Sequence, residues 1–93
     1  MAHHQSALKR NRQNIVRNQR NKAYRSRVRT AIKSVRMALD AGDLEKAREA
    51  YRQMVPVVDR MSNRRIIHKN AAARTKSRLN RRIFILANKS EQR

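Results

Sequence analysis

The chain has 93 residues, room for one small domain, and no Cys, which excludes disulfide frameworks and thiolate metal sites. Twenty-five Lys and Arg against 6 acids give a formal net charge of +19 and a sequence pI near 12.0. Self-repulsion at that charge density opposes compaction, so a polyanionic partner is expected. With 1 Gly and 1 Pro, and with Ala, Arg, Lys, Gln, Leu and Met plentiful, the chain reads as helix throughout. No apolar run approaches the ~18 residues of a membrane span, and the N-terminus lacks the apolar core of a secretory signal. Its Arg-rich, acid-poor start resembles a transit peptide, but the same bias returns at the far end, so a cytosolic protein is expected.

Charge divides the chain into three blocks. Residues 1–39 hold 11 Lys and Arg with no acid, and residues 60–90 hold 10 with none. Between them, residues 40–59 hold 3 Lys and Arg against Asp40, Asp43, Glu45, Glu49 and Asp59.

The first predicted helix covers residues 6–41, about 54 Å at 1.5 Å per residue. In its second half Tyr24, Val28, Ala31, Ile32, Val35, Ala38 and Leu39 fall on one face. Lys22, Arg25, Arg29, Lys33 and Arg36 form a basic stripe roughly 120° away. Toward the N-terminus the apolar stripe fails, because Arg17, Arg20 and Asn21 take its positions. About the first 17 residues (roughly 25 Å) would therefore project. Residues 1–22 are expected to form a basic arm, frayed when free and ordered by a partner.

"LDAGDLEK" is the stop signal. Gly42 can take the left-handed conformation that ends a helix, and Asp43 is a good N-cap for the next. Helix two carries the seam Leu44, Ala47, Tyr51, Met54, Val58, Met61. Pro56 lies within it and removes the hydrogen bond to the carbonyl of Arg52, so the helix should kink there or else end at Met54 and restart. The seam stays in phase beyond the proline, which favours the kink. A third helix runs from about residue 67 to 88, with Ala72, Thr75, Leu79, Ile83 and Leu86 inward and Asn70, Arg74, Ser77, Arg78 and Arg81 outward. The fold expected is all-α, an up-down-up three-helix bundle with a long, basic, projecting first helix.

Catalysis finds no support: there is no Gly-rich phosphate loop and no nucleophile constellation. The acids read as caps and charge offsets. His3, His4 and His68 are too scattered for a metal site, and no cofactor is called for. Met37, Met54 and Met61 read as core filler, and Tyr24 and Tyr51 as core residues before base-stacking platforms. Aromatics at 3% disfavour single-strand binding by stacking. The basic blocks are different. They combine 21 positive charges with no acid, and Arg-rich helices with interleaved Asn, Gln and Ser suit phosphate, sugar and 2′-hydroxyl contacts. Nucleic acid is the expected partner. On composition alone RNA is modestly ahead of the competing reading, a histone-like compacting protein. No membrane and no homo-oligomer are expected.

The segment "IIHKNAAARTKSRLNRRI", residues 66–83, resembles the C-terminal signature of the bacterial small-subunit ribosomal protein S20 family. The opening "SALKRNRQ", the "RVRTAIK" of helix one, the "AGD" turn and the "PVVDR" after the proline match in the same order. The resemblance implies a non-catalytic three-helix protein of the cytoplasmic ribosome, with a plastid descendant left open. It implies direct binding to small-subunit ribosomal RNA, beside other small-subunit proteins. The contact candidates it carries over are Lys9, Arg10, Arg12, Arg17, Arg20, Arg25 and Arg29, then His68, Lys69, Asn70, Arg74, Lys76, Ser77 and Arg78. Lys22 and Arg81, from the basic stripes, complete the candidate set. Two positions depart from the family pattern. Arg65 stands where the family often has Gly, so either Asn63 supplies any left-handed residue or the loop has another shape. Ala71 stands where Lys or Thr is common.

Overall fold

The computed structural model describes residues 2–91, with side chains from Ser6 to Lys89; those of His3 and His4 lie outside the described set. Three helices account for nearly all of it: α1, Ala2–Asp40; α2, Leu44–Asn63; and α3, Lys69–Glu91. All three expected elements are present and the architecture is all-α, with α1 starting four residues before the expected residue 6.

The two connections use the same device. After α1, Gly42 takes φ +72°, the Asp43 N–H donates to the Ala38 carbonyl at 3.0 Å and the Gly42 N–H to that of Leu39 at 3.0 Å. This pair of bonds is a Schellman motif, and it satisfies carbonyls that the helix end leaves open. Asp43 then caps α2, its Oδ1 accepting from the Lys46 N–H at 3.1 Å, while Glu45 sits in the positive first turn. At the end of α2 the pattern recurs. The Ile66 N–H donates to the Met61 carbonyl at 2.9 Å and the Arg65 N–H to that of Ser62 at 3.0 Å. Here the left-handed residue is Arg65 itself, φ +60°. This corrects the expectation for the loop: Asn63 is the last helical residue, and Arg65 keeps the geometry that the family often gives to Gly. A side chain in that conformation costs about 1–2 kcal/mol relative to an unstrained backbone.

α2 continues without interruption through Pro56, so the helix does not end at Met54 and restart. The bend that the missing N–H of Pro56 should cause stands as an expectation.

The core is one cluster. Val28, Val35 and Leu39 come from α1, Ala47, Met54, Val58 and Met61 from α2, and Ala72, Leu79 and Ile83 from α3. Each lies on the apolar seam read from its helix, and no polar side chain among the described residues is buried with them. Met37 is the exception among the methionines: it is 61% exposed, because its azimuth lies opposite the Val28–Val35 seam, and it fills no core. α2 is the central element, packed on both other helices, while α1 and α3 touch each other least.

Polar ties between helices reinforce this arrangement. Lys76 Nζ lies 2.7 Å from Asp59 Oδ1, and the Tyr51 hydroxyl donates to the Lys76 carbonyl at 3.2 Å, both joining α3 to α2. Arg82 pairs with Asp40 at 2.9 Å, joining α3 to the end of α1. The acids thus act as caps and charge partners, as their positions implied. Overall the molecule measures 74 × 21 × 15 Å, with a radius of gyration of 18.7 Å. A compact chain of this length would have about 12 Å. The difference comes from α1, which runs on past the bundle.

Candidate nucleic-acid interface

Every residue from Ser6 to Arg20 is exposed; Asn21 and Tyr24 are half-buried, and Val28 is the first fully buried residue of α1. The arm therefore ends near residue 20, where the apolar seam begins. Tyr24 marks the junction. Arg64, from the end of α2, places its guanidinium 5.1 Å from the Tyr24 ring centre and donates to its hydroxyl at 2.7 Å. Arg27 lies 5.8 Å from the same ring. Tyr24 is thus occupied inside the protein, as its core assignment required.

Lys9, Arg10, Arg12, Arg17 and Arg20 are all exposed. At 100° per residue they fall within an arc of about 160°, one broad side of the helix. Such a broad basic side suits a groove lined with phosphates. Ile15 and Val16, at 56% and 62% exposed, lie between them in the sequence, so the arm also carries apolar surface left exposed among the described residues.

Lys22, Arg25 and Arg29 are exposed on the bundle half of α1, in line with exposed Lys33 and Arg36. This second tract is a true stripe, confined to one side because the opposite side packs on α2.

The third tract is the outer surface of α3. Asn70, Arg74, Ser77 and Arg81 share one face, with Arg78 beside it, and all are exposed. Lys69 and His68 sit at its N-terminal end. His68 also has an internal task that sequence analysis did not assign: its Nδ1 accepts from the Asn70 N–H at 3.1 Å, and its carbonyl receives the first helical bond, from the Ala72 N–H at 3.0 Å. It caps α3, which leaves Nε2 as the atom able to face outward. Lys76 differs from the rest. It is half-buried and held by Asp59, so it serves the α2–α3 contact first. A charge-neutral pair formed within the protein offers little to a phosphate.

Phe84 was assigned no role from the sequence, yet it is 65% exposed on the outer side of α3, next to the groove between α2 and α3. Its azimuth, about 100° from Ile83 and close to Ser77 and Arg81, was the available signal: an aromatic ring beside a basic face.

The order of these parts agrees with known proteins over almost the whole chain. The sequence model of the family described as Ribosomal protein S20 matches residues 2–83. The chain belongs to the ribosomal protein S20 family. A small ribosomal subunit protein bS20 of Methylococcus capsulatus is 54% identical over 87 residues, covering 94% of this chain and 95% of the relative. That of Stenotrophomonas maltophilia is 55% identical over 87 residues, covering 94% and 98%. An Acinetobacter baumannii counterpart is 51% identical over 88 residues, covering 95% and 100%. The family resemblance read from residues 66–83 is thereby confirmed, and with it a structural ribosomal role rather than a catalytic one. The S20 family match ends one residue before Phe84.

Proposed function

We propose that this S20 protein is a structural constituent of the bacterial small ribosomal subunit, in the cytoplasm, and that it binds small-subunit ribosomal RNA directly through phosphate and sugar contacts. The observation that carries the reading is the arm. An exposed helix with five cations on one broad side, and no acid before Asp40, has no partner among the described residues. RNA helices that crowd together supply phosphates along such a basic side, and a deep A-form major groove is read by shape more than by base edges. The α1 stripe and the α3 face add two further tracts, so one small domain can touch several RNA segments and hold them together. Free of RNA, the arm frays; bound, it is helical from end to end. Other small-subunit proteins are neighbours in the same particle.

The test is binding to intact small-subunit ribosomal RNA in excess competitor duplex DNA, across a series of salt concentrations. Tight binding that outlasts the competitor, with a steep salt slope from released counterions, is the expected result. Equal affinity for both polymers at every salt would replace this reading with that of a histone-like compacting protein.

A further inference from the structure

Between α2 and α3 lies a groove of about 580 Å³, within the range of ordinary small-ligand sites, about 300–1,000 Å³. Its floor is apolar: Ile83 is buried, and Tyr51 and Val55 are half-buried. Its exposed rim is Arg48, Arg52, Asn80 and Phe84. No acid lines it. Resting on the ribosomal RNA reading above, we propose that this groove takes one unpaired RNA base, stacked on Phe84.

Three observations favour that occupant over an apolar protein segment. First, the rim brings together an aromatic ring, guanidinium groups and a carboxamide. A base offers a π-face to the first two and hydrogen-bonding edges to the third. Second, the charge matches. Arg52 is partly committed, held by Glu49 at 3.1 Å, but Arg48 enters no ion pair among the described residues and can meet the phosphate of the same nucleotide. Third, the groove adjoins the basic face of α3. Arg81 precedes Phe84 by three residues, so the two are neighbours on the helix surface. A strand held by Arg74 and Arg81 runs past the groove mouth. A base within a duplex is stacked on both faces and cannot enter, so the occupant comes from a loop, a bulge or a junction. The Tyr51 hydroxyl already donates to the Lys76 carbonyl, so it contributes ring surface and no new bond.

The site lends itself to a local probe, because the chain has no Trp. In Phe84→Trp the indole reports on this groove alone. Saturating intact small-subunit ribosomal RNA should quench its fluorescence while affinity stays at the wild-type level. Phe84→Ala should weaken binding about 5- to 150-fold, the range expected for loss of one stacked base. Phe84→Leu, apolar but without a π-face, should lose nearly as much. Chemical probing of Watson–Crick edges should find one unpaired base protected by wild type and Phe84→Trp but reactive with Phe84→Leu. Phe84 is largely exposed, so the variants keep the fold, which circular dichroism checks. If wild type binds but Phe84→Ala binds equally and the Trp is not quenched, this proposal is overturned and the RNA-binding reading stands. Quenching that appears only when another small-subunit protein is added would make the groove a protein contact instead. Failure of the wild type to bind the RNA would overturn both readings.

Discussion

Up to Arg20 and from Tyr24 onward, α1 is one helix with two kinds of surroundings. The second half carries a seven-residue apolar seam, buries Val28, Val35 and Leu39 against α2, and is held by bonds that close within the chain. The first half has the same backbone, a similar supply of good helix formers, and nothing to lean on. Propensity makes both halves helical, but only packing makes a helix stable in water at low cost in entropy. The fold is thus decided in the second half, while the first half is left to the RNA contacts proposed above. Changes in the arm and in the apolar seam should therefore separate RNA binding from stability.

Removing residues 1–20 is the largest test of that separation. Binding to ribosomal RNA should become far less salt-dependent. Loss of Lys9, Arg10, Arg12, Arg17 and Arg20 lowers the slope of log K against log salt by about 3.5–4.5 if each touches a phosphate. The midpoint of thermal unfolding should hardly move. A large fall in that midpoint would show that the arm is part of the fold. Amide exchange makes the same point without mutation: in the free protein, amides of residues 6–20 should exchange at nearly unprotected rates, and protection should appear only with RNA.

Met54→Ala probes the opposite half. Met54 is fully buried at the centre of the cluster, and its truncation should cost about 2–5 kcal/mol, a large share of the ~5–15 kcal/mol typical of a domain. Chemical denaturation measures it, and a loss below about 1 kcal/mol would contradict the packing described. Arg65→Gly should act the other way. It relieves the left-handed strain after α2 and should stabilise by about 1 kcal/mol, with little change in RNA affinity unless Arg65 touches RNA. The smallest contrast pairs Lys76→Ala with Arg17→Ala. The first should cost under about 1 kcal/mol of stability, as a partly exposed ion pair does, and leave the salt slope unchanged. The second should leave stability unchanged and reduce the slope by about 0.7–0.9. A reversed pattern would mean that Lys76 faces RNA after all.

Much of this division could be read from the sequence, because both halves obey simple rules. Residues at 3.6-fold spacing gave the core of each helix, and the failure of that spacing at Arg17, Arg20 and Asn21 located the arm. The "AGD" turn was legible because Gly42 and Asp43 are the residues that such a turn prefers. The second turn was not, because Arg65 does against preference what Gly42 does with it, and only the hydrogen bonds of Arg65 and Ile66 reveal the shared motif. Met37 was misread because its residue type suits a core, although its azimuth places it opposite the seam. Lys76 and His68 share a different cause: a side chain's type shows what it can bind, but its partner depends on what the neighbouring helix brings. Asp59 and the Asn70 amide could not be matched to them by spacing alone.

The continuity of α1 has a mechanical consequence. Between Arg20 and Tyr24 there is no Gly, no Pro and no break, so the helical arm is geared to the bundle like a crank to its axle. Inserting one residue at this junction would turn the whole charge pattern of the arm by about 100° and move it outward by about 1.5 Å. Inserting seven would return it to within about 20° of its starting angle, at the expense of about 10 Å of extra reach. A tilt of the bundle by 10° would swing the tip of a 30 Å arm by about 5 Å, roughly one turn of helix. On the proposed RNA-binding reading, seating the bundle on one part of an RNA would therefore set both the angle and the depth at which the arm meets a distant part.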